Sequence, residues 1–215
     1  MQSLAYLYMG VIVPASVIIP IAFAIVKYRH INKPLSIIFW YLLFAGVVNA
    51  CAAFLAFRHI NNLPLLHVYT IAEFLFLSLF FYRFTGRPPL RQLILGCLLL
   101  FPLYGIVNFI FIQGLHVFNS YTRPVEAILL IVFSLVYFYI QSVDNHNGTW
   151  HTQPETWIVI GILIYFSSSL VQFSFSNVVS SLVSKDIKLF IWATHATLVL
   201  IMYLLFAVGF AKCKA

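Results

Sequence analysis

The chain has 215 residues, of which 63% are hydrophobic, 18% aromatic and only 8% charged, with a formal net charge of +7. A soluble domain carries about 25% charged residues, so this composition excludes one; apolar runs long enough to cross a bilayer recur along the whole length and specify an all-α, polytopic membrane helical bundle. In a soluble protein the positive charge would suggest nucleic acid, but here it reflects basic loops on one membrane face, and no nucleic-acid partner is expected.

Seven transmembrane helices are predicted in one domain covering residues 1–215. The first, 5–27, has no basic region before it and reads as a span rather than a cleavable leader; Pro14 and Pro20 are expected to bend it. After "KYRHINKP" the second runs 35–57 and carries "GVVN" at 46–49. "RHINNLP" leads into the third, 64–83, with His67, Tyr69 and Glu73. "TGRPPLRQ" precedes the fourth, 92–113, with Pro102 as a second expected bend and "GIVN" at 105–108. "QGLHVFNSYTRP" opens the fifth, 120–141, with Arg123 and Glu126. The polar loop 141–155 is followed by the sixth, 155–179, holding Gln172 and Asn177, and "SLVSKDIK" by the seventh, 188–211, with Trp192 and His195. Asp144, Glu155 and Asp186 are assigned to connecting loops.

Charge sets the orientation. With the N-terminus outside, the inner ends hold Lys27, Arg29, Lys33, Arg83, Arg87, Arg91, Lys212 and Lys214, and the outer side only Arg58, Arg123, Lys185 and Lys188. The positive-inside rule therefore favours N-out, C-in, in the plasma (inner) membrane.

A pattern repeats between spans. "GVVN" and "GIVN" are each followed, after a loop, by "YTIAE" (69–73) and "YTRPVE" (121–126); "SLVQ" (169–172) and "WATH" (192–195) are a weaker echo. This reads as one lone helix followed by three repeated hairpins, as in some transporter folds, against the plainer reading of coincidence in a restricted alphabet. In that arrangement Asn49, Asn108 and Gln172 form an amide ring, and Glu73, Glu126 and His195 stand opposite it. At about 1.5 Å per residue all six fall roughly 7–14 Å below the outer surface. His67, Tyr69, Arg123, Asn177 and Trp192 join them, whereas the inner halves offer little beyond serine and tyrosine hydroxyls.

Each of these residues has a structural reading beside the functional one. Glu73 either pairs with Arg123 or His195 to fix packing, or meets a ligand or proton, as intramembrane acids commonly do. Glu126 either serves ligand chemistry or lies in a first turn behind Pro124, favouring the helix dipole. The amides are interhelical hydrogen bonds or ligand contacts, and His67 is a rim residue or a site residue. His67, Glu73, Glu126 and His195 are residue types that suit zinc or iron, provided that three helices converge; no HExxH is present, and a haem between His67 and His195 is a further option on residue count. Asp144, His146 and His151 form a weaker loop set, and "NGT" (147–149) matches a glycosylation sequon on the side assigned to the cytoplasm. No lysine lies between Lys188, at the entrance of the seventh helix, and Lys212 after its end, so no retinal is expected.

The functional expectation is a binding or sensing protein of the lipid bilayer whose polar cavity opens outward to a small polar molecule or a lipid head group. Tyr69 and Trp192 would form its amphipathic walls, and an output would pass to a separate membrane or cytoplasmic partner. The second expectation is an intramembrane, metal-dependent or metal-free, lipid-modifying enzyme with Glu73 or Glu126 as catalytic base and His195 as acid or ligand. A transporter comes third, because polar groups do not continue through the inner half.

Overall fold

The computed structural model describes residues 2–144 and 149–214. His146, and Asn147 and Gly148 of the "NGT" sequence, lie outside the described residues. Seven helices are long and apolar enough to cross a membrane, and among the described residues there is no strand. They are α1 (Leu4–Val26), α2 (Lys33–Phe57), α3 (Leu63–Phe84), α4 (Pro88–Ile112), α5 (Thr122–Asp144), α6 (Pro154–Ser174) and α8 (Lys185–Ala211), with a short α7 (Ser176–Leu182) between the last two. Their outward faces carry large apolar side chains such as Val26, Phe57, Phe111 and Leu182, a surface that lipid covers at no cost and water does not.

Local chemistry explains the boundaries. α2, α3, α4 and α6 each open with proline in the first turn, where the missing N–H would have had no helical partner anyway. Asn32 caps α2, its Oδ1 accepting from Leu35 N at 3.0 Å. Both α1, before Pro14, and the end of α4 contain a wider π-turn, at Tyr8–Ile12 and Asn108–Ile112.

The predicted sixth helix, 155–179, is not continuous. It breaks at Phe175 (φ −105°, ψ 11°). Ser168 and Ser174 donate back to the carbonyls of Ile164 and Leu170 (2.7 and 2.9 Å), a habit that bends helices, and Ser176 donates to Phe173 O beyond the break. The three acids assigned to loops also move: Asp144 ends α5, Asp186 lies in the first turn of α8, and Glu155 is buried in the first turn of α6, bonded by Asn32.

Packing defines a ring of six helices in the order α1, α2, α3, α5, α6, α8 and back to α1. α4 stands outside it, set against α3 and only lightly against α5. The hairpin units are thus packed differently: α2 lies along α3 and α6 along α8, while α4 and α5 diverge. The α6–α8 seam is close enough that a Cβ on Gly161 would lie 2.9 Å from the Phe206 ring, and one on Gly209 2.9 Å from Pro154 O. Around this seam sits the apolar core, with Ile38, Leu42, Leu77, Ile158, Phe166 and Phe206 fully buried.

The connection between α4 and α5 is packed into the bundle. Successive contacts pair Val117 with His67, Asn119 with Thr70, Arg123 with Glu73, Phe133 with Phe81 and Tyr137 with Phe84. α5 and the residues before it therefore run beside α3 in the same direction, and the non-helical stretch lies against the first two turns of α3. Non-helical backbone at such depth needs its polar groups satisfied. Asn177 does this for Phe118, accepting from its N–H at 3.1 Å and donating to its carbonyl at 3.0 Å. His67 Nε2 meets Val117 O at 2.9 Å, and Asn119 Oδ1 accepts from Thr122 N at 3.1 Å.

Candidate functional site

Inside the ring, at the end that carries the N-terminus, is a cavity of about 320 Å³. α1, α2, α3, α5, α6, α7, α8 and the α4–α5 connection line it; α4 does not. Its position follows from the stripes of two helices. On α3, Leu63, Leu66, His67, Thr70 and Glu73 follow helical spacing along one face. On α8, Trp192, His195, Ala196, Val199 and Tyr203 do the same.

Two charged side chains, Glu73 and Arg123, lie at its floor, with Glu126 behind them. Arg123 Nη1 donates to Glu73 Oε2 and to Glu126 Oε2, the latter at 2.8 Å. Both carboxylates are buried and the guanidinium is 15% exposed. Two tyrosines complete Glu73: Tyr41 and Tyr69 donate to Oε1 at 2.6 and 2.9 Å, and their oxygens are 3.1 Å apart. Arg123 Nη2 reaches the Tyr165 oxygen at 3.5 Å, and the guanidinium lies 4.6 Å from the Phe173 ring centre, a cation–π contact.

The aromatic wall comes from three elements. Phe118 stacks on Trp192 at 5.3 Å, and His195 packs among Tyr165, Phe173 and Trp192 at 5.5, 5.4 and 6.2 Å. His195 Nδ1 is 3.1 Å from Ser169 Oγ, which holds the ring.

The sequence-predicted residues divide. His67, Tyr69 and Glu73 on α3 line the cavity, as do Asn49, Arg123, Trp192 and His195. Four others do not. Asn108 sits on the excluded α4, fully buried, within 3.5 Å of Thr122 Oγ1. Gln172 points away from the cavity with Nε2 unpartnered, while its neighbour Phe173 takes the inward position. Asn177 is committed to the α4–α5 connection, and Glu126 lies behind Arg123. The three amides therefore do not form a ring. Of the two pairings considered for Glu73, the one with Arg123 is present, and His195 instead meets Ser169. Glu126 lies one residue past the first turn of α5, held by Arg123.

Among the described residues no three His, Cys, Asp or Glu side chains gather at metal-ligating distance, so His67, Glu73, Glu126 and His195 do not make a common centre. In the weaker loop set, Asp144 is bonded to Arg87 at 2.9 Å, and His151 packs on Trp150.

Sequence reasoning missed Tyr41, Tyr165 and Tyr203, the phenols that surround the charged floor. Their signal was present: Tyr203 continues the stripe of Trp192 and His195 along α8, but a phenol in an apolar run reads as an amphipathic filler. Tyr203 on α8 and Asn49 on α2 both line the cavity.

Comparison with known proteins found no matching family model, no matching curated protein and no matching solved structure.

Proposed function

We propose that this chain is an integral membrane binding or sensing protein, and that the cavity above the Glu73–Arg123–Glu126 group receives a small polar molecule or a lipid head group. One observation carries the reading: a cavity of about 320 Å³, within the ~300–1,000 Å³ range of ligand pockets, brings Glu73, Arg123 and Asn49 to one space beside an aromatic wall. Glu73, Arg123 and Asn49 orient the guest, and Trp192, Tyr69 and Phe118 enclose it.

The orientation belongs to the same proposal. Eight basic residues cluster at the end opposite the cavity, and under the positive-inside rule that asymmetry supports a plasma membrane protein with the cavity outside and the C-terminus in the cytoplasm. The hairpin repeat belongs to it as well. "GVVN" and "GIVN" each place a glycine at a helix contact, Gly46 near Val17 and Gly105 near Ile71, with an amide one turn on.

The enzyme reading has less support. A general base needs a free lone pair facing substrate, and both carboxylates are already bound by Arg123. The transporter reading is opposed by the packed apolar core between the cavity and the far end.

Native mass spectrometry of the purified protein tests the binding reading. A guest molecule should co-purify with wild type and be lost from Ala196→Phe, which fills the cavity wall, at unchanged elution volume and helicity. Equal recovery from both would refute it, and Val199→Trp repeats the test should Ala196→Phe not fold.

A further inference from the structure

The hydrogen-bonding capacity left open in the cavity is mostly of one kind. Glu73 is used up: its two oxygens take hydrogens from Tyr41, Tyr69 and Arg123, and its side chain is 2% exposed. Arg123 is not. Nη1 spends its hydrogens on the two glutamates, but Nη2 has only the long 3.5 Å contact with the Tyr165 oxygen, and Nε has no partner among the described residues. Its side chain, 15% exposed, is the accessible member of the charged group.

His195 offers a second donor. Ser169 is fully buried, and its hydroxyl, unlike those of Ser168 and Ser174, donates to no carbonyl one turn back, so its hydrogen goes to His195 Nδ1. Because Nδ1 accepts, the neutral ring carries its hydrogen on Nε2, which has no partner among the described residues. Trp192, one turn earlier on the same face of α8, adds an indole N–H that is likewise unspent, and an indole can only donate. These nitrogens keep accessible surface, whereas the orphaned atoms of His67 and Glu126 are buried.

The donors share one corner. The Arg123 guanidinium lies 4.6 Å from the Phe173 ring centre and the His195 ring 5.4 Å from it, and Trp192 is 6.2 Å from His195. Asn49 can donate or accept and does not decide. Much of the remaining lining is apolar, with Met9, Val13, Leu66, Val199 and Met202. Net charge does not choose the guest here, because Arg123 stands against Glu73; the direction of the open hydrogen bonds does.

Resting on the binding reading, we propose that the guest is an apolar molecule whose head is a carbonyl-type oxygen acceptor, either the carboxylate of a free acid or the neutral carbonyl of an ester or ketone. The oxygen sits in the corner between Arg123, His195 and Trp192, and the carbon body lies along the apolar lining.

The test is a calorimetric titration of wild-type protein in a neutral maltoside detergent with probes of closely matched shape. They are benzylacetone, hydrocinnamate, the protonated amine 4-phenylbutan-2-amine and the hydrocarbon butylbenzene. The better of the ketone and the acid should bind at least about fivefold tighter than both the amine and the hydrocarbon, one net hydrogen bond being sufficient for that ratio. An amine that binds as tightly, a hydrocarbon that binds as tightly, or no measurable binding of ketone and acid overturns the assignment and leaves the binding reading to the co-purification test. Binding that persists in Ala196→Phe lies outside the cavity and defeats the assignment too. His195→Phe keeps the ring and removes the donor, so it should weaken the ketone or the acid about fivefold and the hydrocarbon hardly at all. A loss shared equally by all probes would count against the proposal, and should that variant not fold, the wild-type series decides alone. The two acceptor probes separate the sources: tighter hydrocinnamate supports a free acid, and tighter benzylacetone supports a neutral carbonyl.

Discussion

The two ends of the bundle are built on opposite terms. At the end remote from the cavity, apolar side chains fill the ring, and polar groups that enter it are paired: Asn32 with Glu155, Tyr137 with Thr156 at 2.8 Å, Gln141 with Gln153 at 2.8 Å. Cys213 is buried there and burial pushes its thiol up, so it behaves as a small apolar group. At the cavity end a charged trio, a packed-in loop and an open volume take the place of that core. Of the six buried side-chain atoms that lack a partner among the described residues, five belong to this end: those of His67, Asn108, Gln113, Glu126 and Gln172. Ser78 is the exception. Unsatisfied groups cost stability, so their gathering at one end indicates that stability is concentrated at the other.

The sharpest way to break this comparison is to remove the one cation from the trio. Arg123→Leu leaves two buried acids without their cation, Glu73 with only its two tyrosine donors, and a loss of ~3–5 kcal/mol is expected in a detergent unfolding assay. Adding Glu73→Gln and Glu126→Gln to the same chain should recover much of it, because no uncompensated charge then remains. A neutral Arg123→Leu would mean that the trio does not hold this end together.

At the packed end, Gly161→Val should cost ~1–3 kcal/mol by driving a side chain into Phe206, and it should leave co-purification of the cavity's guest unchanged in the protein that still folds. Loss of the guest at full stability would show that the ends are not separable.

Glu73→Leu probes the cavity end more gently. Arg123 keeps Glu126 as a partner, so the variant forfeits the tyrosine hydrogen bonds and loses ~1–2 kcal/mol, clearly less than Arg123→Leu. A penalty equal to that of Arg123→Leu would make Glu73 the keystone instead. The smallest effect, ~0.5–1.5 kcal/mol, is expected for Thr156→Val, which removes one hydroxyl partner of Tyr137 within an otherwise filled core.

Sequence alone determined the solvent and the number of crossings, because about 20 apolar residues per crossing is a property of the bilayer rather than of any partner helix. It determined the helix starts nearly as well, since proline in the first turn acts through the local backbone, at Pro34, Pro64, Pro88 and Pro154. It also pointed to Glu73, Arg123 and His195, because a charged or imidazole side chain in a span must face inward wherever its neighbours lie. Tertiary structure alone decided which inward-facing groups meet. Asn49 and Asn108 share a sequence context, yet α2 joins the ring and α4 stands outside it, and nothing local to "GVVN" or "GIVN" distinguishes the two. Gln172 lost the inward position to Phe173, one residue away, which is a matter of helix rotation set by the α6–α8 seam. Tyr69 meets Glu73 from four residues earlier on α3, but Tyr41 and Arg123 come from α2 and α5 to complete the same carboxylate, and that convergence depends on packing angles that hydropathy does not encode.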